Sequence, residues 1–404
     1  MDFNPALSTI MHIDLNSCFA TIEQQANPHL RGKPIAVAAY TTPNGCILAP
    51  SIEAKKYGVK TGMKVRDGRL FCPDLIILPS DPAKYRNIHL ALHKLVADYT
   101  NKFSPKSIDE FVLNFAGMPS FPRGLFTIGK EIKERIKKEI GEWLTVSIGI
   151  STNRFLAKTA AGLHKPDGLD EINKDNFLNL YSGLKLIDLC GIKIRNKVRL
   201  NSMGIFNVLD FYNAPLWKLK AAFESVSGYY WYMRLKGFEI DDVSFSRKSY
   251  GNSYALPASH QQAHDLLSIL SKLTEKTSFR LRRGGYKARG VHLAILFRNG
   301  RFWHKGVTTS KDLFDSRDIY KEISRLFTIC SIECPVREIA VSVFDLVKNK
   351  NSQFTFFEDI EKKERLVKSV DKINERWGSF VITSARMLNT KDLVPDRIAF
   401  GSSD

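Results

Sequence analysis

Cysteine is scarce, and its spacing puts no two residues to work together. Six cysteines stand at 18, 46, 72, 190, 330 and 334 in a chain of 404 residues. No C-x-x-C pair occurs, and Cys330 and Cys334 have no second pair nearby. Neither a disulfide scaffold nor a zinc site fits, and reduced structural thiols remain. Long hydrophobic runs are also lacking, since none approaches the ~20 apolar residues that a membrane span needs. The first ten residues are too short for a signal peptide and carry an acid at Asp2. A cytoplasmic protein with no membrane partner is therefore expected. No internal repeat is visible. Acid is the scarcer charge: 42 Asp and Glu face 60 Lys and Arg, a formal balance of +18. Such an excess speaks of partners rather than fold. Nucleic acid is the polyanion it suits; a membrane surface is the weaker rival, because no basic amphipathic helix with a bulky apolar face stands out.

Hydrophobic residues make up 44% and aromatics 11%, ordinary shares for a folded protein. The length exceeds one ordinary core, so two to four domains are expected. Within this frame one stretch carries chemistry. Ser107-Ile108-Asp109-Glu110 follows Phe103-Ser104-Pro105 and precedes the apolar run Phe111 to Phe115. Neighbouring side chains on a strand point to opposite faces, so adjacent acids share a direction only at a turn. Pro105 and Lys106-Ser107 supply one. A third acid, Asp14, ends the short apolar strand Thr9 to Asp14. Read singly, each acid is an ordinary edge-strand or capping residue. Together, with no Cys or His beside them in ligand spacing, they suit Mg²⁺ rather than zinc.

The chain up to about residue 163 alternates strand and helix. Helices are expected at Cys18 to Gln25, Ser51 to Tyr57, Asp81 to about Tyr99, Gly129 to Leu144 and about Asn153 to Leu163. Strands are expected at Ile35 to Ala39, Gly45 to Leu48 and Thr145 to Ile150. Ile128, Ile132, Ile136 and Ile140 repeat every four residues, as on one helix face. This order is consistent with a split β-α-β unit in which the N-terminal strand lies beside the acid-pair strand. Leu184 to Tyr212 reads as short helices around Gly191-Ile192-Lys193, either an ordinary helical subdomain or a helix-hairpin-helix whose backbone N–H groups hold a phosphate.

A polar stretch, Glu239 to Lys248, reads as a linker. A second α+β unit then follows: strand to Leu256, helix from about Gln261 to Arg280, strands Ala288 to Arg298 and Phe302 to Thr308, helix Ser316 to Phe327, strand Arg337 to Leu346. Asn299-Gly300 marks a hairpin between the middle strands. Between positions 280 and 305 the chain carries Arg280, Arg282, Arg283, Lys287, Arg289, Arg298, Arg301 and Lys305 with no acid. A solvated charge run is the plain reading; the lack of counter-charges favours a phosphate-tracking face. The tail opens on Lys348 to Ser352, a linker composition, followed by Gln353-Phe354-Thr355-Phe356-Phe357 and a charged helix, Glu361 to Trp377.

Several stretches resemble the Y-family translesion DNA polymerases. They are Met11 to Gln25, Leu30 to Val37, Ser107 to Glu110, Ser147 to Lys158 and Lys165-Pro166-Asp167-Gly168, in the right order and spacing. The resemblance covers roughly residues 8 to 347. It implies an α+β multidomain, right-hand polymerase: a ferredoxin-like palm (8–24 and 82–172), small fingers (25–81), a helical thumb with a helix-hairpin-helix (173–240), a linker (241–248), an α+β little finger (249–347) and a clamp-binding tail with a C-terminal extension (348–404). It implies that Asp14, Asp109 and Glu110 hold two Mg²⁺ ions with the Leu15 carbonyl, and that Phe19 is a steric gate against a 2′-hydroxyl. Read alone, Phe19 is a core aromatic on a helix face.

By the same resemblance Cys18, Phe19, Lys55 and Lys165 contact a dNTP, and primer-template DNA meets Gly191, Lys193, Arg282, Arg283, Lys287, Arg289, Arg298, Arg301 and Lys305. Lys55 stands where many relatives have arginine, Ile52 where tyrosine is frequent, and Lys193 where a second glycine is usual. Gln353, Phe354, Phe356 and Phe357 resemble the bacterial sliding-clamp pentapeptide, or form a strand of the tail's own core. The implied activity is template-directed DNA synthesis in damage tolerance, at the nucleoid. Two alternatives remain: a non-catalytic DNA-binding paralogue that recruits another polymerase, against which all three acids argue, and a nucleotidyl cyclase, which leaves the basic second unit unexplained.

Overall fold

Met11, Ile13 and Leu15 alternate with His12 and Asp14 along the first strand, β1 (Ile10–Leu15). One face is thus apolar and the other carries polar groups. The computed structural model describes residues 1–243, 246–256, 263–348, 360–388, 390 and 392–395. The chain divides after Val243 into two units. The first holds β1 and seven further strands: β2 (Ile35–Ala38), β3 (Ile47–Pro50), β4 (Ile76–Pro79), β5 (Phe103–Pro105), β6 (Glu110–Asn114), β7 (Val146–Ser151) and β8 (Leu169–Ile172).

Five of them form one sheet in the order β5-β6-β1-β7-β8, with β1 central and antiparallel to both β6 and β7. Met11, Ile13, Phe111, Leu113, Ile148 and Ile150 pack in one core with Tyr85 and Leu92 of helix Pro82–Ala97 and Ile128 and Ile132 of helix Leu125–Arg135. Helix Arg154–Ala160 lies close against β7. A Cβ on Gly149 would sit 2.0 Å from the Ala157 carbonyl oxygen, so only glycine permits that approach. The helix expected over Gly129 to Leu144 starts earlier and ends sooner. It runs Leu125–Arg135 and continues as a π turn, Ile136–Ile140. Gly141 N–H bonds the Ile136 carbonyl at 3.0 Å, which closes the wider turn and leaves Leu144 beyond the helix.

A small second sheet has the order β3-β2-β4, with β2 and β4 parallel. The strand read at Gly45 to Leu48 is displaced to β3. Neither β4 nor helix Val65–Phe71 was anticipated. Both are short, and Gly68 in that helix is unfavourable by propensity. It is there for packing: a Cβ would lie 2.7 Å from Ile47. Short helices between Phe177 and Leu235 make a third core, which Phe3 joins by stacking on Phe177 at 4.2 Å.

The second unit is a sheet of β9 (Ser249–Ala255), β10 (Tyr286–Phe297), β11 (Phe302–Leu313) and β12 (Val336–Lys348), in the order β11-β10-β12-β9, antiparallel throughout. Gly300 has φ 87°, as the Asn-Gly hairpin requires. Val291, Leu293, Ile295 and Phe297 share a core with helices Ala263–Arg283 and Ser316–Ile329. Among the described residues no helix is long and apolar enough to cross a membrane.

The tail is a clasp on this unit. Helix Ile360–Trp377 presents Asp371, whose two oxygens accept from the Arg282 guanidinium at 2.7 Å each, and Glu364, which accepts from Lys287 at 2.7 Å. Lys276 donates to the Val394 carbonyl at 2.7 Å. Residues 353–357 lie outside the described residues. Arg282 is only 11% exposed in its side chain, so Asp371→Ala strands a guanidinium out of water. We expect a loss of about 2 kcal/mol in chemical denaturation, partly restored by Asp371→Glu.

Candidate active site

Strand pairing brings the acids together. Asp14 lies opposite Glu110 in the β1–β6 register. Asp109 occupies the bend just before β6 and is held there from three sides. The buried Ile108 anchors the bend, and its carbonyl meets His89 Nδ1 at 2.9 Å. The Asp109 carbonyl accepts from Leu15 N–H at 3.0 Å, and Ser107 Oγ donates to Asp109 Oδ1 at 2.5 Å. The expected turn is there, but the two adjacent acids fall into different sets: Asp109 lines a cleft, and Glu110 clusters with Asp14 and His12.

Asp14 and Asp109 line a cleft of about 510 Å³ together with Leu15, Cys18, Phe19, Lys55 and Lys165. Ser17, with φ 49°, turns the chain from β1 directly into helix Cys18–Ala26, which sets Phe19 in the wall. Phe19 is 2% exposed and stacks on Tyr85 at 4.4 Å. That ring is braced in turn by a Tyr85 hydroxyl hydrogen bond to Glu23 at 2.8 Å. Lys55 comes from helix Ile52–Lys56, capped by Ser51. The loop carrying Lys165 is held by Asp167 N–H donating to Asn16 Oδ1 at 2.8 Å.

Asp14 in the cleft and Glu110 beside it each have a nearby lysine, and Asp109 accepts from Ser107. Lys165 Nζ is 2.7 Å from Asp14 Oδ2. Lys158 Nζ grips both oxygens of Glu110, at 2.8 and 2.7 Å. Burial acts to lower the Lys158 pKa, but hydrogen bonding and the charge of Glu110 outweigh it and hold the value above ordinary lysine. Burial, followed by repulsion from Lys165, pushes Lys55 down, against the pull of Asp14. Burial, with Asp109 and Asp14 nearby, raises the Cys18 thiol far above its usual value, so it offers no soft thiolate ligand.

Ligand atoms of His12, Asp14 and Glu110 lie within 4.8 Å of one another. The accessible donors are hard carboxylate oxygens, which fit a divalent cation of the magnesium type. His12 was missed in the sequence, although period-two alternation from Asp14 puts it on the same strand face. It is 1% exposed. Burial, then the charges of Lys158, Lys165 and Lys106, push its pKa down to about 3 and keep it neutral.

Gly191, at φ 93°, and Lys193 immediately precede helix Ile194–Ser202. The basic run in the second unit is a different matter. It lacks acids in sequence, but the fold supplies them from elsewhere. Arg282 and Lys287 are turned inward onto Asp371 and Glu364 and present no free phosphate-tracking charge. Arg289 pairs with Asp312 and Arg301 with Glu333. Arg283, Arg298 and Lys305 are exposed.

The sheet sets carboxylates at the ends of its central strands, an arrangement suited to metal-assisted phosphoryl transfer. Family models agree: the impB/mucB/samB family matches residues 13–162, and that family's C-terminal domain matches residues 247–356. The chain belongs to this family, that of the bacterial Y-family DNA polymerases. Among its relatives, DNA polymerase IV 1 of Bacillus subtilis is 31% identical over 95% of this chain and 94% of its own. DNA polymerase IV of Pelotomaculum thermopropionicum is 30% identical over 96% and 97%. A solved Y-family polymerase chimera of Dbh and Dpo4 shares the fold with a TM-score of 0.74 at 23% identity, covering 84% of this chain and 99% of its own. An insertion ternary complex of Dbh DNA polymerase, at 22% identity and the same coverage, gives 0.58.

A divalent ion held by Glu110 would have to compete with Lys158. Lys158→Met should therefore lower the melting temperature without added metal and enlarge the rise in melting temperature when Mg²⁺ is added, both read by thermal unfolding.

Proposed function

We propose that the protein is a template-directed DNA polymerase of the translesion type, extending a primer by in-line attack of its 3′-hydroxyl on the α-phosphate of a dNTP. The observation that carries this reading is the cleft in which Asp14, Asp109, Lys55, Lys165 and Phe19 converge, with Glu110 beside it. Asp14, Asp109 and Glu110, with the Leu15 carbonyl, would hold two Mg²⁺ ions, which lower the pKa of the attacking hydroxyl and shield the departing pyrophosphate. The chain's own groups do the rest. Lys165 exchanges Asp14 for the triphosphate, and Lys55, whose charged form is disfavoured by burial and by Lys165, gains from a nearby phosphate. Phe19, locked on Tyr85, leaves no space beneath the sugar for a 2′-hydroxyl.

Under this reading residues 8–24 and 82–172 are the palm, 25–81 the fingers, 173–240 the thumb, 249–347 the little finger and 348–404 the tail. Gly191 and Lys193 meet the DNA backbone, as do the exposed Arg283, Arg298 and Lys305. Residues 353–357 bind a sliding clamp at the nucleoid; their deletion lowers primer extension with clamp present and leaves clamp-free extension unchanged.

Asp109→Ala with Glu110→Ala should reduce nucleotide addition at least ~1000-fold in a primer-extension assay while DNA binding survives. Near-normal extension would make the acids structural. Phe19→Ala should raise ribonucleotide insertion in the same assay; an unchanged ratio of ribo- to deoxynucleotide would remove the gate assignment.

A further inference from the structure

His12 has no role in the reading above, and its place is costly. Its ring is 1% exposed, and neither nitrogen has a hydrogen-bond partner among the described residues. A buried polar ring left in that state opposes folding. On packing alone an apolar side chain would suit the position better. Ile10 and Val112 flank it on this sheet face and cluster with Ala157. Helix Arg154–Ala160, seated on Gly149 opposite His12, closes the space above.

What the ring does face is Glu110. His12 Nε2 lies 3.8 Å from Glu110 Oε2, just beyond hydrogen-bond reach. The carboxylate is turned the other way, with both oxygens on Lys158. An approach of roughly 0.6 Å would bring Oε2 within N–H···O range of the ring. Neutral imidazole can offer one N–H, and a carboxylate that gives one oxygen to a cation keeps the other as an acceptor. Metal-ligating carboxylates are ordinarily held by such a donor behind them.

We infer that His12 is a positioning residue for Glu110, donating Nε2–H to the oxygen that the carboxylate does not give to the divalent ion. This rests on the two-metal reading above. His12 touches neither substrate nor ion; it fixes the orientation of the ligand that does.

The test is Mn²⁺ binding to the full-length protein, followed by electron paramagnetic resonance without DNA or nucleotide. Three variants are compared with the wild type. His12→Gln places an amide donor near the Nε2 position, His12→Asn keeps polarity but reaches only the Nδ1 position, and Glu110→Gln removes the ligand. The inference expects His12→Asn to weaken Mn²⁺ binding ~10- to 100-fold and His12→Gln to recover most of it. Should His12→Asn fail to fold by circular dichroism, His12→Leu takes its place with the same expected loss. Wild-type Mn²⁺ affinity in the Asn or Leu variant, or equal losses in Asn and Gln, overturns the inference. Glu110→Gln separates the two levels. If it loses Mn²⁺ while the His12 variants do not, the metal site stands and the role of His12 falls. If it binds like wild type, both fall.

Discussion

Three carboxylates brought to one place repel each other, and this molecule is arranged around paying that electrostatic cost. Backbone pairing does the gathering: β1 between β6 and β7 sets Asp14 opposite Glu110, and the bend at Ser107–Asp109 adds the third acid. Lysines offset the repulsion. Lys165 on Asp14 and Lys158 on Glu110 are each within charge-assisted hydrogen-bond distance. The negative charge is thereby tolerated in the folded protein without being consumed.

The two lysines come from different supports. Lys165 lines the cleft on a loop tied to Asn16. Lys158 comes from the helix seated on Gly149. The aromatic wall is built by packing instead of charge: Phe19 stacks on Tyr85, and Tyr85 is tied to Glu23. The site thus sets paired charges beside a fixed apolar shape.

Much of this was legible in the chain because it is local. The acid pair needed a turn, and Pro105-Lys106-Ser107 announced one. The alternation in β1 and the Asn-Gly hairpin were equally plain. What could not be read depended on distant partners. Arg282 and Lys287 looked like free positive charge because their acids, Asp371 and Glu364, lie 89 and 77 positions further on. The helix ending at Ile140 looked longer because hydrophobic spacing continues past the point where the backbone widens. Alternation from Asp14 puts His12 on the acid's face, but its approach to Glu110 depends on a strand about a hundred positions away.

The clasp formed by helix Ile360–Trp377 makes two cations of the second unit answer to residues far along the chain. Asp371 takes two hydrogen bonds from Arg282, and Glu364 takes one from Lys287. The tail thereby sets how much positive potential that face shows, and the formal balance of +18 overstates the pull the second unit can exert on a polyanion.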